Sequence, residues 1–187
     1  MLEFDKMVLD ESKRPEDIMQ HQYEDPIKNA IWNYVIGYTT SINNILRNKK
    51  QNEKITKDLD KAFDIYGDSD ITEFYRTVDW DYMLNIYGLT KENIDEYIGE
   101  TFRNRGYMST SSQRISPWGK RWNEWELLIH ITGDTQYIDI NKVFTPDEID
   151  CEEQNELLLP RNTLLRLDSY KIMRNKEKTY LLEMSII

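Results

Sequence analysis

The sequence predicts an α+β domain in which helices come first and strands follow. Three observations carry that prediction. Apolar residues recur at spacings of three and four early in the chain. Later they come in short runs or alternate, separated by turn formers. No regular strand–helix alternation of the βαβ kind is visible.

Taken in order, Asp25-Pro26 makes a sound helix start, because aspartate caps free amides and proline tolerates the first helical position. Ile27, Ile31, Tyr34, Val35, Tyr38, Ile42, Ile45 and Leu46 then form one buried stripe of a long helix. Gly37 lies inside that stripe, where glycine costs ~1 kcal/mol relative to alanine and points to close packing. Lys49 to Asn52 is a polar break. Ile55, Leu59, Ala62, Phe63 and Tyr66 make a second stripe, with Gly67 suited to its C-terminal cap. Thr72 to Arg76 reads as a strand, and a short helix follows Thr90, carrying Ile94, Tyr97 and Ile98 before Gly99. Gly106 to Ser112 is a hydroxyl-rich strand. Leu127 to Thr132, Tyr137 to Ile140, Glu156 to Leu159, Leu164 to Ile172 and Thr179 to Ile187 complete the strands. The plan is a single domain of 187 residues: an extension over 1–24, a helical part over 25–67 and a mainly β part over 72–187.

Composition narrows the function. The chain has 24 basic and 34 acidic residues, a formal net charge of −10. A phosphate backbone would repel such a molecule, so nucleic acid is not its expected partner. Cys151 is the single cysteine, which excludes an internal disulfide and a cysteine metal cluster. No stretch approaches the ~20 apolar residues of a membrane span. The first twenty residues lack the apolar run of a secretion signal, so the chain reads as cytoplasmic as written, or as secreted or delivered into a host cell by other means. The glycine-rich phosphate cradles GxGxxG and GxxxxGK[ST] are absent. Two histidines, His21 and His130, and no HExxH motif give no zinc site, so no metal is expected. His130, inside an apolar run, reads as a strand histidine facing a neighbour or solvent.

Three segments hold more chemistry. The first, Thr72-Glu73-Phe74-Tyr75-Arg76, would deliver one arginine whose planar fork binds phosphate bidentately, although a surface arginine beside aromatics is commonplace. The second, Gly106 to Ser112, is either edge decoration or part of a ligand site. It belongs to a cationic island from Arg103 to Asn123 (Arg103, Arg105, Arg114, Lys120, Arg121) that also holds Trp118 and Trp122. Cations and aromatic planes beside hydroxyls suit an anionic ligand with a flat ring. The third runs from Glu152 to Pro160. Glu156 opens an apolar strand there, and Gln154 shares its face if the strand extends back that far. A carboxylate so placed can face a developing positive charge, or the segment is a solvated acidic loop before a core strand.

In order and spacing, Phe74-Tyr75-Arg76, Ser109-Thr110-Ser111 and Gln154-Asn155-Glu156-Leu157-Leu158-Leu159-Pro160 resemble the arginine-serine-glutamate class of mono-ADP-ribosyltransferases, the clostridial exoenzymes and enzymatic subunits of binary toxins. Tyr38 to Arg47 resembles that family's upstream helix. The resemblance implies N-terminal helices packed on two β-sheets with an NAD cleft between them. It implies NAD as substrate, cleaved at the nicotinamide–ribose bond, with ADP-ribose passed to a target protein. The NAD glycohydrolase that uses water, and an inactive module of the same fold, are the alternatives. Glu156 would steady the ribosyl cation, Ser109 would orient it, and Gln154 would act on the acceptor. Arg76 would bind the diphosphate; Asn43 and Arg47, with Ser109, Thr110 and Ser111, would complete the NAD site. Arg121, with Trp118 or Trp122, would reach nicotinamide and phosphate. In that family a glutamine two residues before the glutamate goes with asparagine in Rho-family GTPases, or with other acceptors that are not arginine. A translocation partner is implied if the chain is a toxin.

Overall fold

Asp25 caps the first helix as its side chain allows, its Oδ1 accepting from the Ile27 amide at 2.9 Å. Helix α1 (Pro26–Asn33) buries Ala30, Ile31 and Trp32. Two of its polar residues are also buried. Asn29 Oδ1 accepts from the amides of Gln22 and Tyr23, and Asn33 Nδ2 donates to the Gln20 carbonyl, so these amides tie the entering chain to the helix. The predicted long α-helix does not run on unchanged: Tyr34–Tyr38 forms a π-helical turn around Gly37. A π turn inserts an extra residue and shifts the buried stripe around the axis. Tyr34, Ile42 and Leu46 of that stripe are nevertheless fully buried. Helix α2 (Lys54–Tyr66) buries Leu59, Ala62 and Phe63 as its periodicity requires. Gly67 does not cap it in a left-handed conformation; it begins strand β1 (Gly67–Asp68).

The computed structural model describes residues 20–38, 42–43, 46–47, 54–114, 127–149, 155–174 and 178–187. It divides into two compact units, one ending at Tyr66 and the other spanning Gly67–Ile187.

Among the described residues, the second unit holds a mixed sheet of nine strands. After β1 come β2 (Glu73–Val78), β3 (Thr101–Asn104), β4 (Met108–Ser111), β5 (Leu127–Thr132), β6 (Tyr137–Asp139), β7 (Glu156–Leu159), β8 (Thr163–Arg174) and β9 (Lys178–Ile186). Their order across the sheet is β1-β6-β7-β4-β2-β5-β9-β8-β3. Among the described residues, β5 and β9 are the one pair that runs parallel. The alternation of β2 and β5 places Phe74 opposite Ile131 and Val78 opposite Leu127 on one face, where Leu182 and Met184 of β9 extend the core.

Helix α3 (Trp80–Tyr87) covers that face with Trp80 and Met83, and Leu89 and Ile94 continue the cover. The apolar periodicity does not predict this helix, although its punctuation is present. Asp79 caps it, accepting from the Tyr82 amide at 2.6 Å, and Gly88 ends it at φ 69°. The short helix after Thr90 is a 3-10 turn over Ile94–Tyr97. At Ile140 the predicted strand turns into a four-residue helix, α4 (Ile140–Val143), capped by Asp139.

The two sheets expected from the resemblance are two arms of one sheet. Strands β2 and β5 share a six-residue ladder, whereas β2 and β4 share the single pair Tyr75↔Ser111. The sheet is continuous at that seam but barely stitched. One arm is β1-β6-β7-β4, with short strands, and the other is β2-β5-β9-β8-β3.

Candidate active site

The seam brings together residues from three strands. β2 contributes Arg76, β4 contributes Ser109 and Ser111, and β7 contributes Glu156. Each strand is held by its apolar neighbours, with Phe74 and Val78 fully or nearly buried on β2, and Met108, Leu157 and Leu159 on β4 and β7. The polar residues therefore sit where core packing holds them.

Register decides what meets what. Ser111 lies directly opposite Glu156, and Ser109 lies opposite Leu158, so Ser109, Ser111 and Glu156 share one face. Thr110 faces the other way and is buried. Its hydroxyl donates to the Leu157 carbonyl at 2.7 Å, which braces β4 against β7. Ser111 Oγ accepts from the Gln113 amide at 3.1 Å and closes the end of its strand. Arg76 Nη1 donates to the Ser109 carbonyl at 2.8 Å, across the seam, and the guanidinium lies 4.9 Å from the centre of the Tyr82 ring on α3. Tyr82 carries no sequence signal of its own, because α3 is too short to show a period.

Glu156 is 7% exposed. The Ser109 hydroxyl hydrogen-bonds its carboxyl, and Arg76 is close enough to act on its charge. Burial pushes this carboxyl above its ordinary value, and Ser109 and Arg76 offset that only in part. Asn155, just before it, adopts φ 42°, a left-handed conformation that asparagine tolerates and branched residues resist. That turn directs the chain into β7 with Glu156 as its first residue.

A carboxylate in a water-poor site with preset hydrogen-bonding neighbours favours positive charge that develops beside it. A guanidinium close by can take an anionic group of the same ligand.

Other candidates lie elsewhere or outside the described residues. Asn43 and Arg47 belong to the first compact unit. There Asn43 is buried, its Nδ2 donating to the Tyr34 hydroxyl at 3.1 Å, and Arg47 is half-buried. Gln154, Trp118, Arg121 and Trp122 lie outside the described residues. Of the cationic island, Arg103 and Arg105 are exposed at and just past β3, and Arg114 is exposed after β4. His130 sits on β5, stacked on Tyr75 and bonded to Glu183. Among the described residues no cluster of three histidine, cysteine or acidic side chains could hold a metal ion. No described helix is long and apolar enough to cross a membrane.

A sheet of this order has counterparts of known fold. The chain belongs to the ADP-ribosyltransferase exoenzyme family, whose model matches residues 14–186, and its enzyme class is accordingly NAD-dependent ADP-ribosyl transfer. Similar solved structures include Plx2a, an ADP-ribosyltransferase toxin from Paenibacillus larvae, with 22% identity, a TM-score of 0.65, and coverage of 87% of this chain and 86% of that one. The C3 exoenzyme of Clostridium limosum is similar at 19% identity and a TM-score of 0.67, covering 89% and 87%. C3stau2 from S. aureus, determined with NAD, is 21% identical at a TM-score of 0.65, covering 89% and 88%. At these identities the likeness establishes the fold, an α+β ADP-ribosyltransferase fold. No curated protein sequence matches the chain.

Proposed function

We propose that the chain is a mono-ADP-ribosyltransferase that transfers ADP-ribose from NAD to a protein side chain, asparagine being the favoured acceptor. The observation that carries this reading is the buried Glu156, bonded to Ser109 and lying beside Arg76. In the reaction the bond between ribose C1′ and the nicotinamide nitrogen breaks. The electron pair leaves with nicotinamide, and the ribose is left as an oxocarbenium-like cation. Glu156 steadies that cation and holds the ribose 2′-hydroxyl; Ser109 keeps the carboxylate oriented. The acceptor attacks C1′ and loses a proton.

Arg76 takes the diphosphate, with Asn43 and Arg47 as further ligands of NAD. Ser111 lines the same face as Ser109, and Thr110 supports the strand through its bond to β7. Arg121 and Trp118 serve the phosphate and nicotinamide ends. Gln154 pairs with the acceptor: a neutral amide matches an amide or hydroxyl and cannot serve as general base for a guanidinium. The whole chain acts as one catalytic domain, in keeping with a family match that spans both compact units.

The solved structure of the enzymatic component C2-I of the Clostridium botulinum C2 toxin has a similar fold, at 17% identity and a TM-score of 0.67, and this chain covers 43% of it. With Plx2a, this supports a toxin-type enzyme delivered to a host cell, with a protein target such as a GTPase and a separate translocation partner.

The test is incubation with NAD labelled in its adenylate part and a host-cell lysate, followed by mass spectrometry of labelled bands. A labelled asparagine, absent with Glu156→Gln, is the expected result. Release of free ADP-ribose with no labelled protein overturns transfer in favour of hydrolysis. Label on arginine overturns the role given to Gln154.

A further inference from the structure

Beyond the catalytic trio, one polar row crosses the sheet on the face that carries Glu156. Glu156 pairs with Ser111, Ser111 with Tyr75, Tyr75 with His130, and His130 with Glu183. The middle of this row is unusually well held. The rings of Tyr75 and His130 are stacked, with centroids 4.7 Å apart and planes within 5°. His130 Nδ1 lies 2.6 Å from Glu183 Oε2, and since a carboxylate only accepts, the nitrogen carries the hydrogen. Lys171 Nζ lies 3.8 Å from the other Glu183 oxygen. The Tyr75 hydroxyl donates to Glu73 Oε2 at 3.1 Å, and His130 Nε2 lies 3.7 Å from that same oxygen. The imidazole is thus held by the Nδ1 bond to Glu183 and by its stacked face, and the phenol by its hydroxyl and its stacked face, while His130 Nε2 makes no hydrogen bond.

Tyr75 is also the one residue of β2 that pairs with β4. The next residue along the chain is Arg76, whose guanidinium crosses to Ser109. Among the described residues, the β2–β4 ladder that joins the arm carrying Arg76 to the arm carrying Ser109 and Glu156 is a single backbone pair, braced by the Arg76 side chain. We propose that the stacked His130–Tyr75 pair, anchored by Glu183, locks this seam, and that His130 is a positioning residue for the reaction. The link to the reaction rests on the function proposed above; the lock itself does not. Misplacing a reacting group by about 1 Å can cost ~10²-fold in rate, so loss of the lock reaches the chemistry without touching the substrate.

Hydrogen exchange of the full chain without ligand tests the lock. His130→Ala is expected to speed amide exchange over residues 108–111 by about tenfold or more, with the β3–β8 ladder unchanged. His130→Phe keeps a flat ring against Tyr75 but loses the bond to Glu183, and restores protection in part. Leu128→Ala, on the same face of the same strand, removes a larger apolar side chain but no stack, and leaves residues 108–111 protected. Unchanged exchange in His130→Ala, or equal opening in Leu128→Ala, overturns the proposal. In the activity arm, NAD consumption by His130→Ala shows kcat reduced about tenfold or more, KM changed by less than about threefold, and partial recovery in His130→Phe. If the wild-type chain consumes no NAD while His130→Ala opens the seam, the functional reading falls and the lock stands. If the wild type consumes NAD and His130→Ala matches it with the seam closed, the lock falls alone.

Discussion

The two arms of the sheet are built to different ends. In the arm of β2, β5, β9, β8 and β3, the ladders are long and one face is a continuous apolar core covered by α3. In the arm of β1, β6, β7 and β4, no strand exceeds four residues, and the strand that should be the best buried, β7, begins with a carboxylate. Both arms contribute side chains to the apolar core, and the second also holds Glu156 out of water. The difference separates the arm with the long ladders from the arm that carries the proposed chemistry. The candidate site residues lie at the join: Arg76 is placed by the arm with the long ladders, and Ser109 and Glu156 by the arm of short strands.

Substitutions in each arm separate these roles. The largest expected effect is on chemistry: Glu156→Gln lowers the rate of NAD cleavage about 10²–10³-fold, or about 3–4 kcal/mol of transition-state stabilisation. Circular dichroism and a thermal melt show it folded. Wild-type turnover in that variant would remove the carboxylate from the mechanism. In the arm with the long ladders, Leu182→Ala empties a fully buried site and costs about 2–5 kcal/mol of stability by urea titration, with turnover per folded molecule unchanged. Were turnover to fall as steeply as stability, the two arms would not be separable. Ser109→Ala removes the hydroxyl bonded to Glu156. It lowers kcat about tenfold or more, in line with the loss of one hydrogen bond to a charged group. A change confined to KM would place Ser109 on the substrate instead.

The subtlest comparison is in pH. Glu156 holds its proton more tightly folded than unfolded, because burial raises its folded value. Its penalty on stability is absent below the unfolded carboxylate value, near ~4.3, and grows as pH rises toward and through the folded value. Glu156→Gln lacks that penalty, so its stability relative to wild type, without NAD, increases from about pH 4 to about pH 8. Urea midpoints at the two ends check the sign. A difference that shrinks instead would mean that Ser109 and Arg76 outweigh burial.

Much of the architecture could be read from local pattern. The strands of the second half and the cap at Asp25 follow from apolar alternation and turn chemistry, which are written within a few residues of each other. The π turn at Tyr34–Tyr38 could not be read this way, because a one-residue insertion leaves the apolar stripe nearly intact. Helix α3 was missed for a different reason. Eight residues hold barely two turns, too few for a period to stand out, so only Asp79 and Gly88 mark it.

By itself, then, the sequence determined the helices-then-strands plan and the identity of Arg76, Ser109 and Glu156 as residues worth watching, because residue type and spacing are local properties of the chain. Only the tertiary structure decided that Tyr75, Ser111 and Glu156 fall in one row, that Thr110 turns away from it, and that His130 stacks on Tyr75. Those facts depend on the register between strands far apart in the chain. Register is set by which faces can be buried together, and no short window of sequence contains both partners.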